Sequence, residues 1–518
     1  MDFYTEIEKE IKSGKIRSKS QLEATKFRIA KDLRMDWIPG DTEILNSSVY
    51  SDDERELLKI KKTRTISGVA VVAAMTSPEN CPHGKCIYCP GGVDNNSPQA
   101  YTGFEPAALR GRNNNYDPYE IVFGRLKQLE TIGHDTSKVD LIIMGGTFTA
   151  RSREYQQSYV KGCLDGMNAS ISSNLQESIK TNETARRRCI GITVETKPDW
   201  FMEKDIDLAL SYGTTKVELG AQNLNESILR INNRGHGIRE IVKSTWLSKD
   251  AALKVVYHIM PGMYGCSIEE DKKSFERMIS CEAYKPDMLK IYPTLVVKGT
   301  SLYRLWKSGK YLPLDTEEAV DLIAHYLSII PPWIRVQRMQ RDIPVQFIEA
   351  GVKRSDIRNL IEARVSQIGK KSSEIRQREV ALMSSDSVQL IMKRVDYNAS
   401  LGKEVFLSLE TDEGRIAGFL RLRKPSSMAH REECKDAGLI REIKVFGEIV
   451  PVGNASDMAW QHRGLGRRLV EEAEEITRDE FSMDRIIVIS GIGVREYFKK
   501  LGYTNVGTYM GRNILQGA

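Results

Sequence analysis

The chain is expected to be an α/β protein: two α/β domains in sequence, behind a helical, basic N-terminal segment. Three observations predict this. Short runs rich in Val and Ile alternate with longer amphipathic stretches through residues 66–315, and after residue 401 the pattern changes to closely spaced strands interrupted by one amphipathic helix. The third is length, since 518 residues are too many for one ordinary core.

Composition narrows the function classes. Hydrophobic residues make up 41% and charged residues 28%, a globular composition. No apolar run is long enough to span a bilayer, and the N-terminus MDFYTEIEKEIKSGK has no apolar signal-peptide core. A cytoplasmic protein without membrane attachment is expected. The net charge of +6 says little by itself, but its distribution says more. Residues 1–65 read as helical, with Leu22, Phe27, Ile29, Ala30 and Leu33 as an apolar stripe broken at Ile38-Pro39-Gly40. Eight basic residues against two acidic ones lie between Lys12 and Arg34, followed by Lys59, Lys61, Lys62 and Arg64. Such patches neutralise nucleic-acid phosphates, although a solvated helix face would look the same.

The first α/β domain is placed at residues 66–315, with strands expected at 68–75, 139–144, 190–195, 216–220, 254–260 and 288–294. In parallel sheets of this kind the chemistry sits at the C-terminal strand ends. Those ends carry Gly145-Gly146-Thr147, Glu195-Thr196-Lys197, Gln222, His258 and Tyr292-Pro293-Thr294. Residues 316–400 read as a helical, Arg-rich linker that could also touch nucleic acid. The second domain, 401–518, is expected to have strands at 405–409, 416–422, 440–445 and 486–489 and a helix at 465–478.

Eight cysteines are present, and three of them fall within the stretch Cys81-Pro-His-Gly-Lys-Cys86-Ile-Tyr-Cys89. The scattered remainder does not suit a secreted disulfide scaffold. Three thiolates on one Gly/Pro-bent loop can hold an iron–sulfur cube and leave one iron open. Tetrahedral zinc needs a fourth ligand, which His83 could supply, so zinc stays a rival. In the second domain, Gln461-His462-Arg463-Gly464-Leu465-Gly466 opens a helix whose free N–H groups suit a pyrophosphate. The preceding Glu442, Ile443, Lys444 and Val445 offer strand backbone, and Tyr497 and Tyr503 lie further along. Core packing is favoured for Tyr503 and competes evenly with a site role for Tyr497.

Several stretches resemble known families. Tyr88 before the third cysteine, Gly145-Gly146-Thr147-Phe148 and Glu218-Leu-Gly-Ala-Gln222 resemble the radical S-adenosylmethionine superfamily, although C-x4-C-x2-C departs from its usual C-x3-C-x2-C. The 461–466 stretch with its preceding strand and the later Leu-Gly-Tyr503 turn resembles the GCN5-related N-acetyltransferases. The two together, with Tyr101-Thr-Gly-Phe-Glu-Pro, Asn233-Arg-Gly-His, Tyr292-Pro-Thr-Leu-Val, Gln340-Arg-Asp-Ile-Pro and Ile489-Ser-Gly-Ile-Gly, resemble the Elongator catalytic-subunit family.

That resemblance implies a partial β/α barrel followed by an acetyltransferase fold, acting on tRNA. It implies conversion of the wobble uridine to 5-carboxymethyluridine, with acetyl-CoA as carbon donor and S-adenosylmethionine as radical source. Carbon 5 of uridine is not acidic and an acetyl methyl is unreactive, so a radical must join them before water cleaves the thioester. Carried over residue by residue, Cys81, Cys86 and Cys89 would hold a [4Fe–4S] cluster, and Gly145 and Gly146 would lie beside the methionine part of the cofactor. Lys138, Glu442, Ile443, Lys444, Val445, Leu465, Gly466, Arg467 and Phe498 would contact acetyl-CoA, and Tyr497 would be catalytic. Eukaryotic members have a longer gap between the first two cysteines, which leaves Cys81 the least certain ligand, and they tend to have a second tyrosine where this chain has Phe498. A protein lysine acetyltransferase with a structural iron–sulfur domain, and a non-catalytic RNA-binding scaffold, are the rival readings. The short N-terminus suggests a stand-alone enzyme. A homodimer and accessory subunits are left open.

Overall fold

The computed structural model describes residues 2–33, 35, 37–59, 68–380, 389–446 and 464–515. Seven parallel strands form the first sheet: β1 (Ala70–Met75), β2 (Lys138–Met144), β3 (Arg188–Thr196), β4 (Thr214–Gln222), β5 (Lys254–Ile259), β6 (Met288–Ile291) and, after the short β7 (Val296–Val297), β8 (Arg335–Arg338). Their order is β1-β2-β3-β4-β5-β6-β8, every pairing is parallel, and β1 and β8 are the two edges, so the barrel is incomplete. Strands β3 and β4 are buried on both faces, as parallel sheets require. On the outer face, Val139, Leu141 and Ile143 join one core with Ile121, Val122 and Leu126 and with Tyr159, Val160 and Leu164 from flanking helices.

The first sheet runs past residue 315. The segment expected to be a helical linker supplies helices Thr316–Ile329 and Ile357–Gln367, but also β8, β9 (Ile348–Ala350, antiparallel to β7) and the start of the second sheet. Its arginines are largely committed to neighbours: Arg335 pairs with Glu379, Arg354 with Asp356, Arg364 with Glu317 and Asp321, and Arg378 with Glu410. Their basic character is therefore mostly spent within the fold.

The second sheet comprises β10 (Ile391–Ala399), β11 (Gly402–Glu410), β12 (Ile416–Lys424), β13 (Gly438–Val445), β14 (Arg485–Val488), β15 (Thr504–Val506) and β16 (Tyr509–Asn513), in the order β10-β11-β12-β13-β14-β16-β15. Only β13–β14 is parallel.

This sheet sits against the N-terminal strand ends of the first, and the junction is made of buried charge. Asp287, just before β6, receives two bonds from Arg441 at 2.5 and 2.8 Å. Arg441 also bonds Glu404 at 2.8 Å, and Arg423 bonds Asp250 at 2.6 Å and Glu404 at 2.8 Å. All five side chains are essentially without solvent exposure.

At the N-terminus, helices Phe3–Lys12, Lys19–Asp32, Asp41–Ser47 and Asp52–Leu58 enclose a small core of Phe3, Ile7, Ile11, Ile16, Leu22, Ile29, Ile44 and Leu45. Leu22, Ile29 and Ala30 are buried as the periodicity expects. Phe27 and Leu33 are not: Phe27 is 66% exposed, because the helix turns a different face to its neighbours. Lys26 is buried instead, held by Asp41 at 3.0 Å and Glu23 at 3.3 Å.

Candidate active site

The three cysteines sit on the loop that leaves β1 at the C-terminal end of the first sheet. Tight turns shape it: Cys86 carbonyl accepts from the Cys89 N–H at 3.0 Å and Cys81 carbonyl from the Gly84 N–H at 2.9 Å. Thr147 Oγ1 lies 3.3 Å from Cys81 Sγ, Arg234 donates to Cys86 Sγ at 3.2 Å, and the Ala100 N–H donates to Cys89 Sγ at 3.1 Å. Arg234 is braced by the Gly220 carbonyl at 2.7 Å, and Asn233 holds the Lys85 carbonyl at 2.8 Å. The Asn233-Arg-Gly-His run therefore backs the cysteine loop.

All three cysteines line one cavity of about 140 Å³. Burial pushes the Cys89 thiol up to about 11, and it raises Cys81 as well. A cationic metal beside such thiols would favour their thiolate form. A single zinc ion would draw its sulfurs to roughly 3.8 Å of one another, from a Zn–S bond of ~2.3 Å. Among the described residues, the one set of three potential metal ligands whose donor atoms lie within 4.8 Å of one another is Glu195, Glu218 and His258, not the cysteines. At least one pair of the three thiols therefore stands farther apart than a single zinc ion would hold them. His83 Nε2 sits 3.3 Å from Cys86 Sγ, a contact with one thiol. Gly145 and Gly146 are required where they stand. Both have positive φ, and a Cβ on Gly145 would lie 1.9 Å from Thr76 Oγ1. A Cβ on Gly146 would lie 3.3 Å from the Gln99 carbonyl and 3.8 Å from Cys81 Sγ.

The remaining cavity wall sets several charged and polar side chains among apolar ones such as Met144, Met260 and Ile343. Tyr101 donates to Glu195 at 2.6 Å, and Glu218 is paired with Lys290 and with His258 Nε2 at 2.9 Å. Burial alone would raise the Glu218 carboxyl, but the Lys290 ammonium and the His258 ring hold it well below the usual carboxylate range. Tyr292, Arg338 and Arg341 complete the lining. Lys290 was not singled out in the sequence, and Arg234 and Glu218 entered only within the resembling stretches Asn233-Arg-Gly-His and Glu218-Leu-Gly-Ala-Gln222, without a site role.

The second site is an opened sheet edge. Strand β13 pairs with β14 only through Gly438, Leu439 and Ile440; Glu442, Ile443, Lys444 and Val445 continue past it. Helix Leu465–Glu475 starts beside this gap, capped by Gly464 in the left-handed conformation. A Cβ on Gly466 would come within 2.8 Å of Tyr497 Oη and 3.9 Å of Ile443 Cδ1, so these three residues meet. Tyr497 is 39% exposed, and partial burial raises its hydroxyl. Glu442 is bound to Arg421 at 2.8 Å, and burial pushes Lys444 down to about 8. Leu465 packs in the core, and Arg467 points outward to Glu471. Phe498 departs from the expectation: it is buried in the core, edge-on to Tyr503 at 5.6 Å, leaving Tyr497 as the ring that can face a ligand. Tyr503 is a core residue, donating to Glu474 at 2.7 Å. Gln461, His462 and Arg463 lie outside the described residues.

Lys138 opens β2 at the end far from the thiols. Its partner in register is Arg188, and Arg188 lies directly against Gly493 of the second domain. Burial lowers the Lys138 ammonium. The position thus faces the domain junction rather than the cysteine cavity.

Comparison with known proteins agrees with this geometry. The Radical SAM superfamily profile matches residues 75–278, and the Radical_SAM C-terminal domain profile matches residues 286–367. A tRNA uridine(34) acetyltransferase of Methanocaldococcus infernus is 46% identical over 525 residues, covering 98% of this chain and 97% of that protein. Elongator complex protein 3 of Homo sapiens is 41% identical over 467 residues, covering 88% of this chain and 85% of its own length. The solved structure of the M. infernus Elp3 with residues 1–46 deleted superposes with a TM-score of 0.77 at 43% identity, over 87% of this chain and 100% of that one.

Proposed function

Because this chain belongs to the Elongator complex protein 3 family, which includes archaeal tRNA uridine(34) acetyltransferases, we propose that its two sites act together on the wobble uridine of tRNA, forming 5-carboxymethyluridine. The enzyme is a radical S-adenosylmethionine-dependent acyltransferase that modifies tRNA, with a [4Fe–4S] cluster, S-adenosylmethionine and acetyl-CoA as its cofactors and donor. The observation that carries the reading is the union of two features in one chain: a three-thiol loop facing a cavity that also holds buried charged side chains, and an opened strand edge beside a glycine-started helix.

Each group of residues has a task. Cys81, Cys86 and Cys89 hold the cluster, and the Gly145–Gly146 turn leaves room for the methionine part of S-adenosylmethionine. When bound, this pair supplies the radical that activates an otherwise inert acetyl methyl. Backbone at Glu442, Ile443, Lys444 and Val445 takes the pantetheine arm as an added strand would. The helix start at Gly464, Leu465, Gly466 and Arg467 meets the pyrophosphate with its unpaired N–H groups. Lys138 contacts the coenzyme from the first domain. Tyr497, whose hydroxyl keeps its proton at neutral pH, donates a hydrogen bond to the sulfur as the thioester breaks.

No helix of the described residues is long and apolar enough to cross a membrane, and we place the enzyme in the cytoplasm with its tRNA. Light scattering distinguishes monomer from homodimer. The test of function is mass spectrometry of tRNA nucleosides after anaerobic incubation with acetyl-CoA, S-adenosylmethionine and a reductant. Carboxymethyluridine at position 34 is expected. Acetylated lysines with unmodified tRNA would overturn the reading.

A further inference from the structure

Glu218 is anchored through one carboxylate oxygen and idle through the other. Lys290 and His258 both engage Oε2, while Oε1 is buried with no hydrogen-bond partner. The side chain is inaccessible except where it borders the cysteine cavity. A buried acceptor left unpaired is costly, which marks it as waiting for a donor from a ligand. A metal ion does not fit that role. Its other two ligands would be Glu195, already bonded to Tyr101 at 2.6 Å, and His258, whose Nε2 is turned to Glu218, with the Lys290 ammonium alongside.

The donor Glu218 suits is defined by its charge. Lys290 keeps the carboxylate ionised, so Oε1 accepts and has no proton to give. Uracil presents an N3–H between two carbonyl oxygens; cytosine presents an N3 lone pair in the same place. An acceptor-only oxygen welcomes the first and repels the second. Tyr292 stands beside it in the cavity lining, its ring edge-on to His258 at 5.4 Å, and burial keeps its hydroxyl protonated and able to donate to a carbonyl.

We propose that Glu218 is the specificity-determining residue for the target base, its free carboxylate oxygen accepting the N3–H of an extruded uracil while the Tyr292 hydroxyl donates to an adjacent carbonyl. This rests on the tRNA-uridine reading above. Enzymes that act on one base take it from a single strand or extrude it, and read its pairing edge inside the pocket. Carboxylate, lysine and histidine come from three successive strands, β4, β5 and β6, so the edge-reading group is rigid.

The test compares anticodon stem-loop RNAs that differ only at position 34, carrying U, C or N3-methyluridine, by equilibrium binding to the cluster-containing protein. Phosphate contacts are common to all three, so the affinity ratio isolates the base. The wild-type protein is expected to prefer U over both others by about tenfold or more. Glu218→Gln, whose amide can both donate and accept, is expected to bring the U:C ratio to within about threefold. Equal binding of U and N3-methyluridine by the unaltered protein would overturn the proposal without requiring any variant to fold. So would a Glu218→Gln protein that keeps the wild-type U:C ratio and loses only S-adenosylmethionine affinity, since Glu218 would then serve the cofactor. Failure of the wild-type protein to modify U34 tRNA in the nucleoside assay would instead remove the tRNA-uridine reading itself.

Discussion

The two ends of the parallel sheet treat buried charge in opposite ways. At the C-terminal end, Glu218 Oε1, Gln222 Oε1 and Arg234 Nε are buried without partners around a cavity. At the N-terminal end, the buried carboxylates of Asp250, Asp287 and Glu404 are each met by Arg423 or Arg441 at hydrogen-bond distance. Unused hydrogen-bonding capacity costs stability and is retained where a ligand will use it. Saturated charge fixes one geometry between two domains at a desolvation cost that only complete pairing offsets. One end is built to bind and the other to hold, and substitutions should separate the two.

The largest expected effect is at the binding end. Cys86→Ala should lose most of the about four irons of the reconstituted protein, and with them tRNA modification, while the urea midpoint of the apoprotein stays near wild type. Iron analysis and visible absorption check this. Stoichiometric zinc in colourless wild-type protein would break the comparison at its first term.

The holding end should behave in the reverse sense. Asp287→Ala leaves Arg441 buried without its main counter-charge, and such a loss costs about 3–5 kcal/mol, read as a lower urea midpoint with iron content unchanged. The pH dependence follows in sign. Burial opposes ionisation of Asp287, but Arg441 and then Lys249 hold its carboxyl well below the usual range, and Glu404 is lowered for the same reason. A carboxyl lowered on folding stabilises above its unfolded value of about 4, and the contribution is lost as pH falls through the folded value. The wild-type junction should therefore weaken only below about pH 4, and Asp287→Ala should flatten that acid limb.

Lys138 stands at the start of β2, at the same end as the junction. Its place at the domain junction predicts that Lys138→Ala weakens acetyl-CoA binding by roughly tenfold, the worth of a charge-assisted contact of ~1.5–3 kcal/mol, without changing iron content. Gly466→Glu, which puts a carboxylate at the helix start, should weaken it further. Calorimetric titration of acetyl-CoA decides the point, and wild-type affinity in Lys138→Ala would mean the second domain binds the coenzyme alone.

How much of this was legible in the sequence depended on locality. The cysteine loop, Gly145–Gly146 and strands β1 to β6 show as contiguous patterns, and the structure has strands at all six places. Strand β8 does not, because Arg-Val-Gln-Arg reads as exposed helix when its sheet neighbour β6 lies more than forty residues away. The Glu218, His258 and Lys290 group is non-local in the same way: the three stand on three different strands, and only the parallel register brings them together. Arg421, Arg423 and Arg441 mislead most. Charges at alternate strand positions signal a solvent-facing surface, yet here that face is the interface, because the first domain supplies the matching carboxylates. Phe498 is the converse case: the resemblance placed it at the coenzyme with Tyr497, but neighbours on a helix point in different directions and Phe498 turns into the core.

The smallest expected effect concerns the N-terminal helices, and it turns on which bases are still available to a polyanion. Eight basic residues lie between Lys12 and Arg34, but Lys12 is paired with Glu8, Lys15 and Arg28 with Glu10, Lys19 with Asp41, and Lys26 with Asp41 and Glu23. A lysine already neutralised by a carboxylate releases little when a phosphate arrives, because the net local charge it offers is near zero. Arg17 and Lys31 are exposed and show no ion pair among the described residues, and exposed Phe27 shares a helix with Lys31. Charge reversal of Arg17 and Lys31 should lower tRNA affinity severalfold and reduce the log-log salt slope by about one to two, since each phosphate contact contributes roughly 0.7–0.9. Lys26→Glu should act differently. It would set a third carboxylate against Asp41 and Glu23 at a buried position, so its first effect is on the stability of the helical segment, seen in thermal unfolding. An unchanged salt slope in the Arg17/Lys31 double reversal would move the RNA contact to another surface.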